Sequence, residues 1–243
     1  MKIVSVFCLL LIFQQESFKQ AQLKEARVKI AYLHAEDSVK KHFADNHLSM
    51  DNFQMFIRAF KKEAVLEVWV KKKNAGTFAL LHTYDFCATS GVLGPKRKQG
   101  DLQIPEGVYQ INHFNPVSNF YLSLGINYPN ASDLILSDKK KPGNAIYIHG
   151  GCATIGCIPI TDEGIKELYV TAVEAKNNGQ QKIPVHIFPS HLEPGVVEKL
   201  VNEQQADAKT AAFWKNLEGI YRDFQSSKKL RPVRVNSSGV YYF

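Results

Sequence analysis

The residues best suited to chemistry stand in one stretch, Ile148-His149-Gly150-Gly151-Cys152-Ala153-Thr154-Ile155-Gly156-Cys157. The thiolate is the reactive form of cysteine, and a free thiol is mostly protonated at neutral pH, so a cysteine that attacks a carbonyl needs a base beside it. His149 can serve Cys157 in that way, taking the thiol proton and later returning it to a leaving amine. Gly150, Gly151 and Gly156 allow backbone angles that residues with a Cβ resist, so the loop can fold back and bring imidazole to thiol. Gly156 also leaves backbone N–H groups beside Cys157 open, as an oxyanion hole requires. The pattern asks for a strand to deliver His149 and a helix to follow Cys157, with the chemistry in the loop between them.

Blander readings compete at each residue. His149, Cys152 and Cys157 lack a Cys-x2-Cys knuckle and an evident fourth ligand, so no metal is expected, and no cofactor either. Cys152 and Cys157 could instead form a structural disulfide. Outside such a pair, Cys152 is expected to pack as a small residue or to act as a redox partner of Cys157. Cys87 is expected to pack at the end of a strand. His186 alternates with apolar residues in Pro184–Phe188 and is expected to be a hydrogen-bonded strand residue. His82 and His113 sit in no motif and read as ordinary. Phe213, Trp214 and Leu217 fall at helical spacing and read as core. Lys96 and Arg97 suit a clamp on a peptide carboxylate, or simply a solvated loop.

The elements that must position these groups are legible in outline. A helix is expected over Ala35–Asn46, then strands at Gln54–Phe60, Ala64–Val70 and Thr77–Tyr84. Residues 86 to 107 read as a long loop, a length that often marks function. Further strands are expected at Val108–Phe114, Phe120–Ile126 and Ala145–His149. Thr161 is a good helix N-cap, with Asp162 and Glu163 in the first turn where carboxylates suit the dipole. Ile165, Leu168, Tyr169, Ala172 and Val173 share one helical stripe, which Asn177-Asn178-Gly179 ends. Pro184–Phe188 is a strand, and helices follow at Gly195–Glu203 and Ala208–Phe224. Strands first and helices later make an α+β plan on a β-rich core.

Composition excludes several classes. With 45% hydrophobic and 22% charged residues the chain is neither disordered nor fibrous. The net charge of +7 is spread over short Lys runs, with no recognisable nucleic-acid module, so no nucleic-acid partner is expected. Met1-Lys2, the apolar run Ile3 to Phe13 and the polar stretch to Gln22 look like a secretory signal over residues 1–21, too short to span a bilayer. Its removal leaves Cys87, Cys152 and Cys157, an odd number in an exported protein, so at least one thiol is unpaired.

The His-Gly turn, the small-residue loop and Thr154-Ile155-Gly156-Cys157 together resemble the L,D-transpeptidase catalytic-domain family of bacterial peptidoglycan enzymes. They are most similar to its short-loop branch, with a His-Gly-x-Cys-x-Ser/Thr-x-Gly-Cys stretch before a helix. Ile104-Pro105-Glu106-Gly107-Val108-Tyr109 resembles the element that enters a strand of the same domain. Gly94-Pro95-Lys96-Arg97, Gly100-Asp101, the stretch Leu122 to Pro129 and Phe213-Trp214-Lys215-Asn216-Leu217 also look like this branch. The resemblance implies a β-rich catalytic core over 22–190, with an N-terminal helix and a C-terminal helical extension, 191–243, packed on the same domain. It implies Cys157 as nucleophile and His149 as base, with the Gly150 carbonyl orienting the ring; from the residues themselves Gly156 is expected at the oxyanion and Lys96, Arg97 and Thr154 on the substrate side.

The implied reaction is acyl transfer on peptidoglycan stem peptides, through a Cys157 thioester at diaminopimelate, in the periplasm. The alternatives are hydrolysis of the same bonds, including a link to a wall-bound lipoprotein, or wall binding without catalysis. The commoner family sequence is Ser-His-Gly-Cys-Ile-Arg. Here Thr154-Ile155-Gly156-Cys157-Ile158-Pro159 lacks the second His and the Arg, which leaves the acceptor open.

Overall fold

Eight strands form one mixed sheet in the order β3-β2-β1-β8-β4-β5-β6-β7. The computed structural model describes residues 16–243, so the apolar run Ile3 to Phe13 lies outside the described residues. In chain order the elements are α1 (Phe18–Gln22), α2 (Ala26–Asp45), β1 (Phe53–Phe60), β2 (Val65–Lys72), β3 (Ala79–Asp85), β4 (Gly107–Asn115) and β5 (Ser123–Ile126). Then come α3 (Ala131–Leu136), β6 (Tyr147–His149), β7 (Ile158–Pro159), α4 (Thr161–Asn177), β8 (Pro184–Phe188), α5 (Val196–Gln204) and α6 (Ala208–Ser227). A small ribbon, β9 (Arg234–Val235) with β10 (Tyr241–Tyr242), ends the chain. The plan is α+β, as the order of patterns implied.

The burial of β1 explains why its sequence does not alternate. Phe53, Met55, Ile57 and Ala59 join the core under α2 and α4, whereas Phe56 and Phe60 face residues of α6. With both faces covered, a strand reads as a continuous apolar run. The neighbouring β8 repeats the arrangement: Val185 and Ile187 lie in the first core, Phe188 in the second, with Trp214, Leu217 and Tyr221 of α6. Phe213, Trp214 and Leu217 are therefore core residues. Arg58 is buried on the α6 side, paired with Glu67 at 2.7 Å and 4.8 Å from the Trp69 ring.

His186 departs from expectation. It lies on its strand, edge-on to Phe56, but Nδ1 is buried with no hydrogen-bond partner. Burial, together with the Arg58 charge, pushes its pKa down to about 3, so the ring is held neutral.

The helix expected from Ala35 begins nine residues earlier, at Ala26. Val28, Ala31, Tyr32, Ala35, Val39 and Phe43 supply its buried stripe. The stretch 86–106 is irregular, as expected, but it is no solvated excursion. Lys61 Nζ is buried beneath it and donates to the carbonyls of Gly94 and Ile104 and to Glu106 Oε1. The Glu106 carboxylate also accepts from the Gly94 N–H and from Trp214 Nε1. One buried ion pair thus ties the loop to β1 and α6. Among the described residues no helix is long and apolar enough to cross a membrane.

Candidate active site

β6 and β7 place the two central residues on neighbouring chains. The strands pair in parallel, Ile148 with Ile158 and His149 with Pro159. His149 thus ends β6, and Cys157 stands immediately before β7. Parallel neighbours usually need a crossover of a dozen or more residues. Here residues 150–157 suffice, because the loop turns back at glycines. Gly151 and Gly156 have φ of 63° and 130°, in the region that favours glycine. Gly150 is required for space: a Cβ there would stand 2.5 Å from Asp162 Oδ1 and 2.9 Å from the Phe120 carbonyl oxygen.

His149 is 1% exposed, under the ring of Phe120 at 4.5 Å. Its Nδ1 meets the Gly150 carbonyl oxygen, an acceptor, so the ring proton sits on Nδ1 and the Nε2 lone pair is free. Nε2 is buried and has no hydrogen-bond partner. Burial holds the imidazole below its usual pKa, an effect the Gly150 carbonyl partly offsets. It is therefore a neutral base at pH 7.

Cys157 is the free cysteine among the described residues. Its Sγ lies 3.4 Å from the Tyr147 N–H and 3.9 Å from the Ala145 carbonyl oxygen. Burial raises the thiol pKa, while the Tyr147 N–H and the Lys96 charge work the other way. The resting pair is thus thiol and neutral imidazole, not thiolate and imidazolium. No hydrogen bond joins Sγ to Nε2.

The backbone N–H groups expected to be open are engaged. Thr154 Oγ1 accepts from Gly156 N–H at 3.3 Å and Cys157 N–H at 2.9 Å, and donates to the Cys157 carbonyl at 2.8 Å. In this state the Thr154 hydroxyl braces the loop, and Gly156 offers no free donor. At the other end, Asp162 Oδ1 accepts from Gly151 N–H at 2.8 Å. Asp162 was legible only as a first-turn carboxylate of α4; its hold on the loop follows from the tertiary fold. The N-cap falls at Ile160, which makes no side-chain cap, rather than at Thr161 as expected; Thr161 is the first helical residue, and its hydroxyl accepts from Gly164 N–H at 3.2 Å.

The two basic residues part company. Lys96 is buried, 2.5 Å from Asp101, and its charge reaches Cys157. Arg97 turns away, to Asp133 at 3.3 Å and the Phe213 ring at 4.8 Å. There it borders a cleft of about 620 Å³ that Leu93, Gln103, Phe213 and Val240 also line, and that neither Cys157 nor His149 reaches.

The cysteine pairing differs from both readings weighed for it. Cys152 bonds to Cys87, 65 residues earlier, with Cα atoms 5.3 Å apart. Among the described residues Cys157 has no disulfide partner. Cys87 leaves β3 beside the loop 150–157, its N–H on the Pro159 carbonyl, which is why it meets Cys152. Thus Cys152 neither pairs with Cys157 nor remains a free packing thiol, and Cys87 is more than a packing residue.

The sequence profile of the YkuD family, the L,D-transpeptidase catalytic domain, matches residues 54–187. Within those bounds lie β6, β7 and the loop between them. The chain belongs to this family of L,D-transpeptidase catalytic domains, whose work is on peptidoglycan. A relative in Escherichia coli (strain K12), YafK, named as a candidate L,D-transpeptidase, is 33% identical over 183 residues, 74% of this chain and 70% of its own. Among solved structures, the helical cell shape determining protein Pgp2 from Campylobacter jejuni aligns at TM-score 0.45 and 16% identity, covering 76% of this chain and 74% of that one. Bd1075 of Bdellovibrio bacteriovorus aligns at TM-score 0.40 and 19% identity, over 74% and 63%.

Proposed function

We propose that the protein is an exported cysteine acyltransferase of peptidoglycan stem peptides, with Cys157 as nucleophile and His149 as general base. The observation that carries this reading is the state of the two residues. Cys157 keeps a free thiol, while the adjacent strand holds an imidazole whose one proton is fixed on Nδ1 and whose Nε2 is buried and unpaired. An unsatisfied buried nitrogen costs stability and calls for a reason. Accepting a proton from a thiol is such a reason.

When a stem peptide brings a carbonyl carbon to the loop, Sγ leaves the Ala145 carbonyl for Nε2 and gives up its proton. The sulfur bonds to the carbonyl carbon of diaminopimelate that carries the following residue. The amide nitrogen departs with the proton from Nε2, leaving a thioester. An incoming amine then attacks the thioester, loses its proton through His149, and restores the thiol. Catalytic hydrogen bonds are often long before substrate arrives, so the open Sγ–Nε2 gap does not count against the pair. Water in place of the amine would give hydrolysis by the same steps.

The test uses purified protein and defined tetrapeptide muropeptides, with products read by mass spectrometry. Wild type should exchange the residue after diaminopimelate for an added amino acid, and Cys157→Ser should not. Hydrolysed product alone would replace transfer by hydrolysis. Full activity in Cys157→Ser would remove the nucleophile.

A further inference from the structure

Outside the catalytic loop, three elements distant in sequence bring two imidazoles and a carboxylate to one point. His42 lies near the end of α2, His82 on β3, and Glu167 in the second turn of α4. His42 Nε2 is 3.5 Å from Glu167 Oε2, and the His42 and His82 rings stack with centroids 4.0 Å apart. One ligand atom from each residue lies within 4.8 Å of the other two, and all three side chains are half-buried.

We propose that His42, His82 and Glu167 form a binding site for a divalent transition-metal ion of the zinc type. Imidazole nitrogen and carboxylate oxygen are the donors that zinc takes, at roughly 2.0–2.2 Å. Donors at that radius in a tetrahedral site stand roughly 3.3 Å from each other. The His42–Glu167 edge already has that length. The longest edge must close by at most about 1.5 Å, within the reach of side-chain rotation on a half-exposed surface.

Two features of the surroundings suit a ligand set better than a simple ion pair. First, the carboxylate is held from outside. Ser38 donates to Glu167 Oε1 at 2.5 Å and Tyr84 to Oε2 at 3.1 Å, the kind of support that orients a metal ligand. Second, the β2–β3 register slips at Val68/Trp69, so that Val68 pairs with His82 but Trp69 with Leu80. The extra residue is Leu81, which joins the core, while His82 stays in the regularly paired stretch two residues from Tyr84. His82 and Tyr84 therefore share one face of the strand, 4.7 Å between rings, and His82 stacks on His42. A single carboxylate paired with one protonated His42 would leave His82 without a role. A cation accepts all three donors and leaves a fourth position for water. The ion would add a further link among α2, β3 and α4, which Ser38 and Tyr84 already tie to Glu167 by hydrogen bonds.

Cys157 and His149 could themselves take up zinc, so the test is made in the Cys157→Ser chain, purified without a histidine tag and stripped with chelator. Equilibrium dialysis against zinc should find one ion per chain. The thermal midpoint should rise by roughly 5–10 °C at a hundredfold excess over Kd. In the same background, His42→Gln or His82→Gln should weaken zinc binding at least tenfold. Cobalt(II) should give visible d–d bands, an observation that needs no further substitution should either variant fail to fold. No uptake in the Cys157→Ser chain, or uptake unchanged in both folded Gln variants, would overturn the site.

Discussion

The Thr154 hydroxyl accepts the Cys157 N–H at 2.9 Å and donates to the Cys157 carbonyl at 2.8 Å. Both backbone groups of Cys157 are thus held by one side chain three positions earlier. With the Gly156 N–H as second donor, the hydroxyl uses its one proton and both lone pairs. Thr154→Val keeps the shape and removes all three bonds. Misplacement by about an ångström can cost about a hundredfold, so turnover should fall by roughly 10–100-fold. Thr154→Ser should keep most of it. The check is kcat on a defined muropeptide for both variants, with near-ultraviolet circular dichroism to confirm the fold. Equal activity in Thr154→Val and wild type would mean that the brace does not set the thiol's position.

The Cys87–Cys152 bond anchors the loop five residues before Cys157 and closes a loop of 65 residues. Cross-links of this span typically stabilise by about 2–4 kcal/mol, chiefly by constraining the unfolded chain. The double variant Cys87→Ala/Cys152→Ala should lose about that much in urea unfolding, and its turnover should fall as the loop loosens. In the oxidised wild type, alkylation under native conditions should label Cys157 and leave Cys87 and Cys152 unmodified. Peptide mapping that finds label on Cys152 would contradict the pairing.

The parts legible in the sequence and the parts that were not differ in range. That His149 and Cys157 lie on neighbouring strand ends was readable because strand, glycine turn, thiol and helix follow each other within about thirty residues. Seven of the eight strands of the sheet were readable from local composition, with β8 at its expected bounds, whereas the two-residue β7 carried no signal of its own. The first half of α2 carried its signal in Val28, Ala31 and Tyr32, at helical spacing, beneath a polar surface of Lys and Arg. The short α3 carried one in Asn130 and Asp133, which form a reciprocal cap. Nothing local could have paired Cys87 with Cys152, or buried Lys61 against Glu106. Those contacts join segments tens of residues apart, and charged residues are expected outside. His42, His82 and Glu167 are the same case: three unremarkable residues until the fold brings them together.

The export reading gains a boundary from α1. Ser17 caps this helix by accepting from Gln20 N–H, Phe18 packs edge-on to Phe114 at 5.0 Å, and Lys19 pairs with Glu174 at 2.6 Å. Cleavage after Ala21 would delete all three contacts. We therefore expect the signal to be cut before Ser17, so that α1 stays in the mature chain. N-terminal sequencing of protein from the native host should begin between residues 14 and 17. A mature chain beginning at Gln22 would refute the boundary, and one beginning at Met1 would refute export itself.

The pH dependence separates a base-assisted thiol from a preformed thiolate. Burial lowers the His149 pKa below its ordinary 6.5 and raises that of Cys157 above its ordinary 9.0. A general base works only when unprotonated, so wild-type kcat/KM should rise with pH through a value below 6.5 and be level by pH 7. A mechanism that relied on free thiolate would instead keep rising past pH 9, tenfold per unit. His149→Ala should fall into that second regime. At pH 7 it should lose roughly 10²–10⁴-fold, and it should recover part of the loss as hydroxide makes thiolate directly. Cys157→Ser should stay inactive at every pH, since a hydroxyl does not ionise in this range. The double variant should be little worse than Cys157→Ser alone, because the two residues act as one unit. A wild-type profile that climbs above pH 8 in parallel with His149→Ala would show that the imidazole takes no proton, and His149 would lose its assigned role.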